Sequence, residues 1–127
     1  MLRITVITVT YNSEATVAET MDSVLAQIYP NIEYIVVDGG STDKTIDIIR
    51  QYEPCFQGRM RWISEPDQGI YDAMNKGIAM ATGEVIGMLN SDDLFIDAAV
   101  LTDIASAFED RQIDCIHGNL YFVRHDD

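Results

Sequence analysis

A chain of 127 residues, 47% of them hydrophobic, has enough apolar material to bury one core, so residues 1–127 are read as a single domain. Its 8 basic residues stand against 21 acidic ones, and the resulting net charge of -13 repels nucleic acid and anionic membrane surfaces. No stretch approaches the ~20 apolar residues of a membrane span, and the opening MLRITVITVT lacks the length and cleavage site of a secretory leader.

Val- and Ile-rich runs alternate with helical spacing along the chain. Leu2 to Val9 reads as a first strand, and Val17, Met21, Val24, Leu25 and Ile28 then recur at helical intervals after Ser13. Ile32 to Val37 is a second strand, followed by Ile46, Ile49 and Tyr52 after Thr42. Met60 to Ile63 precedes a helix carrying Ile70, Met74 and Ile78 after Asp67. Glu84 to Leu89 precedes another, with Val100, Leu101, Ile104 and Phe108 after Asp97. Ile113 to His117 and Leu120 to Arg124 are the last strands. Ser13, Thr42, Asp67 and Asp97 are expected as helix N-caps, because a short oxygen-bearing side chain there satisfies an orphan backbone donor. Near-continuous apolar strands between amphipathic helices predict an α/β, doubly wound, mainly parallel sheet of Rossmann-like topology, covered on both faces and joined by right-handed crossovers.

Cys55 and Cys115 have no CxxC or Cys/His ligand spacing and are read as reduced thiols in a cytosolic protein. Trp62, Met74, Met80 and Met88 are read as core. His117 at a strand end and His125 in the tail also lack metal-ligand spacing.

In sheets of this kind ligands collect outside the carboxyl ends of the strands. Here those ends are Thr10, Tyr11 and Asn12, then Asp38 to Asp43 (DGGSTD), then Ser64 to Gly69 (SEPDQG), then Asn90 to Asp93 (NSDD). Any one of them alone fits a turn or a cap; polar tips at four successive strands argue for one shared site. Asp38, Asp43, Glu65, Asp67, Asp72, Asp92 and Asp93 make that rim negative, so a phosphate needs a cation to settle there, and Mg²⁺ or Mn²⁺ is the natural bridge. Mg²⁺ uses one or two carboxylates plus substrate phosphates, a number that Asp92 and Asp93 supply. Asp38 is placed to accept hydrogen bonds from a base or sugar and Tyr11 to stack on a ring. A Walker A lysine is absent and DGGSTDKT does not match GxGxxG, which removes the usual ATPase and dinucleotide cradles.

TVTYN, EYIVVDGGSTDKT, SEPDQGIYDAMNKGIAMATGE and IGMLNSDD, in this order, resemble family 2 glycosyltransferases of the GT-A fold, especially bacterial enzymes of polysaccharide and cell-surface glycan biosynthesis. The resemblance runs from about residue 3 to residue 95. It implies transfer of a sugar from a nucleotide-diphosphate donor, with a UDP-sugar foremost, to a hydroxyl of a glycan or lipid-linked acceptor, with inversion and with divalent metal. It also implies a cytoplasmic location, at most peripheral to the inner face of the membrane.

Under the resemblance Thr10 and Tyr11 line the base pocket, Asp38 reads the base, and Asp92, the last acid of the DxD-type motif, holds the metal; Asn12 is taken as nucleotide-binding with them, and of Glu65 and Asp67, which flank Pro66 in a strand-to-helix loop, Asp67 is favoured to face the donor. Ser91 and Asp93 flank Asp92, with Asp93 assisting or orienting. Two residues depart from the pattern: Asn90 replaces the first acid, and Met74 stands where many relatives carry arginine, leaving Lys76 as the nearby cation for a phosphate. The family's catalytic domain continues into an acceptor-binding half that supplies the general base, so residues 1–127 are expected to be the N-terminal, donor-binding portion, with the base outside this sequence. A non-catalytic nucleotide-binding or regulatory module of the same fold is the alternative. A phosphoacceptor receiver fits poorly, because the first strand ends in TYN and the third in SEP.

Overall fold

The computed structural model describes residues 1–117 and 121–125; Leu120, expected to open the last strand, and the side chain of His117 lie outside the described residues. The elements run β1 (Ile4–Thr10), α1 (Val17–Leu25), β2 (Ile32–Asp38), α2 (Thr45–Tyr52), a 3₁₀ turn (Glu53–Phe56), β3 (Met60–Ser64), α3 (Ile70–Met80), β4 (Val85–Met88), α4 (Val100–Phe108), β5 (Cys115–His117) and β6 (Tyr121–Arg124). This is the α/β alternation that the apolar runs predict, as one sheet ordered β3-β2-β1-β4-β6-β5.

Strands β3, β2, β1 and β4 are parallel neighbours. Strand β6 pairs antiparallel with both β4 and β5. Residues 118–120 are all that separates β5 from β6, far fewer than the crossover that a parallel pair requires. The chain winds outward from β1 through β2 to β3, then returns to place β4 on the other side of β1. The order therefore reverses between β1 and β4, where a crevice opens at the strands' carboxyl ends.

Right-handed crossovers set which face each helix covers. The β1-to-β2 and β2-to-β3 connections run in one direction, and α1 and α2 lie on one face; the β3-to-β4 connection runs back, and α3 lies on the other. The core divides accordingly, because successive side chains of a strand point to opposite faces. Ile4, Val6, Tyr34 and Val36 pack with Val17, Met21 and Val24 of α1, Ile49 of α2 and Leu101 and Phe108 of α4. Ile7, Ile35, Val37 and Ile86 pack with Ala73 of α3. Helix α3 approaches its face closely at Gly77, where an added Cβ would stand 2.6 Å from Ile7 Cγ2. Trp62, Met80 and Met88, read as core, are partly buried against these clusters.

The expected N-caps are displaced. The helices begin after Thr16, Lys44, Gly69 and Ala99, none of which makes a side-chain cap bond. Asp67 and Asp97 instead accept the amide two residues on, from Gly69 at 3.1 Å and Ala99 at 2.8 Å. Asp43, rather than Thr42, does the same for Thr45 at 2.9 Å. A short acidic side chain that bonds its own following backbone makes a turn ahead of the helix and so delays the helix start. His125, read as a tail residue, is half-buried with Nδ1 3.0 Å from the Gly83 carbonyl. No helix of the described residues is long and apolar enough to cross a membrane.

At the amino end of the sheet, buried Glu33 secures the α3–β4 turn. Its Oε1 accepts from the Thr82 amide and the Thr5 hydroxyl, both at 2.8 Å, and its Oε2 from Arg61 Nη2 at 2.9 Å and the Thr82 hydroxyl at 3.0 Å. Burial raises the pKa of this carboxyl, but the bonds from Thr82 and Thr5 and the Arg61 charge outweigh it and hold the pKa below the ordinary value. A depressed folded pKa gives stability that is complete above the unfolded value, near 4.3, and is lost as pH falls through the folded one. Glu33→Gln should therefore cost about 2 kcal/mol in urea unfolding at pH 7. The gap from wild type should narrow near pH 3; an equal gap at both pH values would show that the ionised carboxylate is not the stabilising species.

Candidate functional site

Three of the four parallel strand tips are fastened to one another mainly through a single side chain. Asp38 ends β2 with no solvent exposure. Its Oδ1 accepts from the hydroxyls of Thr10, at the β1 tip, at 2.7 Å and of Ser41 at 2.6 Å. Its Oδ2 accepts from the amides of Gly40 at 3.0 Å and Ser41 at 2.8 Å, and from the Ser64 hydroxyl, at the β3 tip, at 2.8 Å. Burial pushes the Asp38 pKa up, yet the bonds from Ser41, Thr10 and Ser64 more than offset it and hold the carboxyl below its ordinary range. The carboxylate's acceptor capacity is thus filled by protein donors. Asp38 sits beneath the rim, buried and off the cavity wall, whereas the expected base-reading role would bring it to the wall.

Asn12 latches the β1 loop to the β2 loop. It takes a left-handed backbone conformation (φ 47°), which asparagine tolerates better than most residues. Its amide donates to Ser41 Oγ at 2.8 Å, and its Oδ1 accepts from the Thr42 amide at 2.9 Å. Tyr11 beside it projects outward, 63% exposed. At the fourth tip Asn90 to Asp93 form a turn, closed by the Asp93 amide on the Asn90 carbonyl at 3.0 Å. Ser91 reaches across to Ser13, hydroxyl to hydroxyl at 3.0 Å, which joins this turn to the first loop.

These loops surround a cavity of about 990 Å³ at the crevice between β1 and β4. Thr10, Tyr11, Asn12, Asp67, Asn90, Ser91 and Asp92 all line it. Asp92 is exposed on the wall. Asp67 lies against Gly39, so closely that a Cβ there would stand 2.7 Å from the carboxylate Oδ2. Asp93 and Lys76 are not on the wall. Lys76 is held by Glu65 at 3.1 Å and Asp72 at 3.4 Å, so the expectation that it reaches a phosphate is not met by this arrangement. The Glu65 bond, against desolvation and with help from the Asp72 charge, raises the Lys76 pKa. Asp67 and Asp92 are the charged side chains on the wall among the described residues.

Sequence reasoning missed Ser13, Thr16 and Ile70 as wall residues, while Gly39 and Gly40, of the DGGSTD tip, also line the cavity. Ser13 and Thr16 read as the start of a helix that begins only at Val17, and at Gly39 the absence of a side chain leaves room for Asp67. Among the described residues no set of three His, Cys, Asp or Glu side chains forms a ready-made metal cage. One exposed carboxylate at the cavity instead fits a hard cation that arrives with phosphates and water as its other ligands.

A family model described as glycosyl transferase family 2 matches residues 5–127. A PGL/p-HBAD biosynthesis glycosyltransferase of Mycobacterium bovis is 36% identical over 112 residues, 87% of this chain and 44% of that protein. An uncharacterized glycosyltransferase of Mycobacterium tuberculosis is 40% identical over 109 residues, covering 85% of this chain and 40% of that one. The chain thus spans less than half the length of these relatives. Among solved structures, TarS of S. aureus (residues 1–349) in complex with UDP-GlcNAc superposes with a TM-score of 0.80 at 29% identity, over 90% of this chain and 33% of that one. A mannosyltransferase of Pyrobaculum calidifontis in complex with GDP-Man and Mn²⁺ shares the fold, with a TM-score of 0.86 at 24% identity over 97% of this chain and 44% of that one.

Because Asp38 joins three strand tips, Asp38→Asn should destabilise the protein by about 3 kcal/mol, as its amide sets a donor among groups that all need an acceptor. Thermal unfolding measures this; an unchanged midpoint would show that the tips hold together without it.

Proposed function

The chain belongs to glycosyl transferase family 2, and on that premise we propose that the cavity between β1 and β4 is the donor site of an inverting, divalent-metal-dependent sugar transfer from a nucleotide-diphosphate sugar to an acceptor hydroxyl. The observation that carries this reading is the meeting of four strand tips on a cavity whose charged side chains are acidic. An anionic diphosphate is repelled there unless a cation stands between it and Asp92. TarS, crystallised with UDP-GlcNAc, supports a UDP-sugar as the first donor to try.

In this reading Tyr11, exposed at the lip, offers its ring to the base, and Asn90 offers an amide to the ribose. Asn12 and Asp38 set the shape of the pocket from below, and Asp67, turned toward Gly69, forms the opposite wall. Asp92 holds the metal, which when bound neutralises charge on the departing diphosphate as a Lewis acid. The general base is not among the residues assigned here: Asp92 is given to the cation, and Asp67 accepts the Gly69 amide. We assign residues 1–127 to the donor-binding portion of the catalytic domain and the base to the acceptor portion, with a glycan or lipid-linked acceptor.

Isothermal calorimetry with UDP and with GDP, each with and without Mn²⁺, tests the reading. One of the two should bind more tightly with the metal, and Asp92→Asn should remove that gain, a loss of roughly 100-fold at the upper end of what disturbing a metal site costs. Binding that ignores Mn²⁺, or a gain that survives Asp92→Asn, would overturn it.

A further inference from the structure

Residues 89–99, between β4 and α4, carry Asp92 yet belong to no helix or strand. A connection of this length without structure of its own needs anchors if a side chain on it is to be held in place. The anchors come from α1 and its end. Thr20 Oγ1 lies 2.9 Å from the Ser91 carbonyl and 2.7 Å from the Asp93 carbonyl, so one hydroxyl brackets Asp92 on both sides. Ser23 Oγ accepts the Phe95 amide at 3.2 Å. Gln27 Nε2 donates to the Asp97 carbonyl at 2.7 Å, and its Oε1 accepts the Leu101 amide at 3.0 Å.

Thr20 and Ser23 share one face of α1, and Gln27, just past the helix end at Leu25, bonds back to the Ser23 carbonyl at 3.2 Å. Thr20 has no solvent exposure and Gln27 only 7%, at positions beside Val17, Met21 and Val24, where an amphipathic helix would otherwise be apolar. A buried polar side chain is retained at a cost unless its bonds are made. Here those bonds run to the loop, to α1 itself and, through Leu101, to the first turn of α4.

Resting on the donor-site reading above, we propose that Thr20 is the positioning residue for Asp92, and that Ser23 and Gln27 extend the same polar stripe along the loop. With the hydroxyl removed, the Ser91 and Asp93 carbonyls lose the one donor they share and the turn is left to the Ser13–Ser91 and Asp93–Asn90 bonds, which lets the Asp92 carboxylate shift relative to a phosphate-bound cation. The base contact is made by Tyr11 on the first tip and is untouched.

Thr20→Val keeps the side chain's shape and deletes the donor. With whichever of UDP or GDP binds better, calorimetry should show the Mn²⁺-linked gain in affinity reduced about tenfold, metal-free affinity reduced far less, and Thr20→Ser restoring the gain. Amide exchange at Asp93 and Phe95 should rise in Thr20→Val without nucleotide present. Ile49→Val, which trims the core on α2, controls for stability and should leave the gain intact; if Ile49→Val lowers it equally, the effect is global and the proposal fails. Should Thr20→Val not fold, Ser23→Ala carries the same test with a smaller loss. A wild-type gain that Thr20→Val fully retains would overturn the positioning role alone, whereas a wild type without any metal-linked gain would remove the donor-site reading and this inference with it.

Discussion

Thr10, Gly40, Ser41 and Ser64 all donate to the two oxygens of Asp38, and through them three strand tips are drawn onto one buried charge. A carboxylate out of water is unfavourable by several kcal/mol unless its lone pairs are filled, and here protein donors fill them. The cost and its compensation are both local, so the tips cannot separate without exposing an unsatisfied charge. The rest of the rim is built outward from that point. Asn12 fastens the first loop over the second, Ser13 and Ser91 join the first to the fourth, and the wall between them becomes a surface of fixed shape.

What such a surface can hold follows from its charge. Its charged side chains, Asp67 and Asp92, are acidic, and the cation of α3, Lys76, is paired with Glu65 and Asp72. A neutral sugar or base meets no obstacle there, but a diphosphate does. The division of labour proposed above follows: tips that are rigid and uncharged for the nucleoside, and one carboxylate on an anchored loop for the cation that accompanies the phosphates. Thr20, Ser23 and Gln27 tie this loop to the same helix that buries Val17, Met21 and Val24, so packing of the core and placement of Asp92 are mechanically continuous.

Periodicity alone revealed the fold class, because Ile32–Asp38 is buried throughout and reads as an apolar run, while α1 and α4 show clean helical spacing. The antiparallel β5 and β6 were not legible, since pairing direction depends on the short link between them and leaves no mark in the apolar pattern. Helix starts were misplaced for a definite reason: Asp43, Asp67 and Asp97 have the chemistry of a cap, yet they bond within a turn that precedes the helix. At the site, sequence could say which residues gather at strand ends but not which way they face. Asp38 and Lys76 are the instructive pair, one turned inward by five donors and the other captured by two acids. Thr20 was invisible because a threonine amid apolar helix positions looks like tolerated noise until its partners are seen.

The central claim is that a divalent ion joins Asp92 to the phosphates of a nucleotide at the β1–β4 crevice. Paramagnetic broadening of amide resonances by substoichiometric Mn²⁺, recorded with and without UDP or GDP, measures it directly. The account predicts broadening centred on Ser91, Asp92 and Asp93 and reaching Tyr11 and Asn12, strong only when nucleotide is present. Broadening centred on another acidic stretch, such as Glu109 to Asp114, or equally strong without nucleotide, would contradict it.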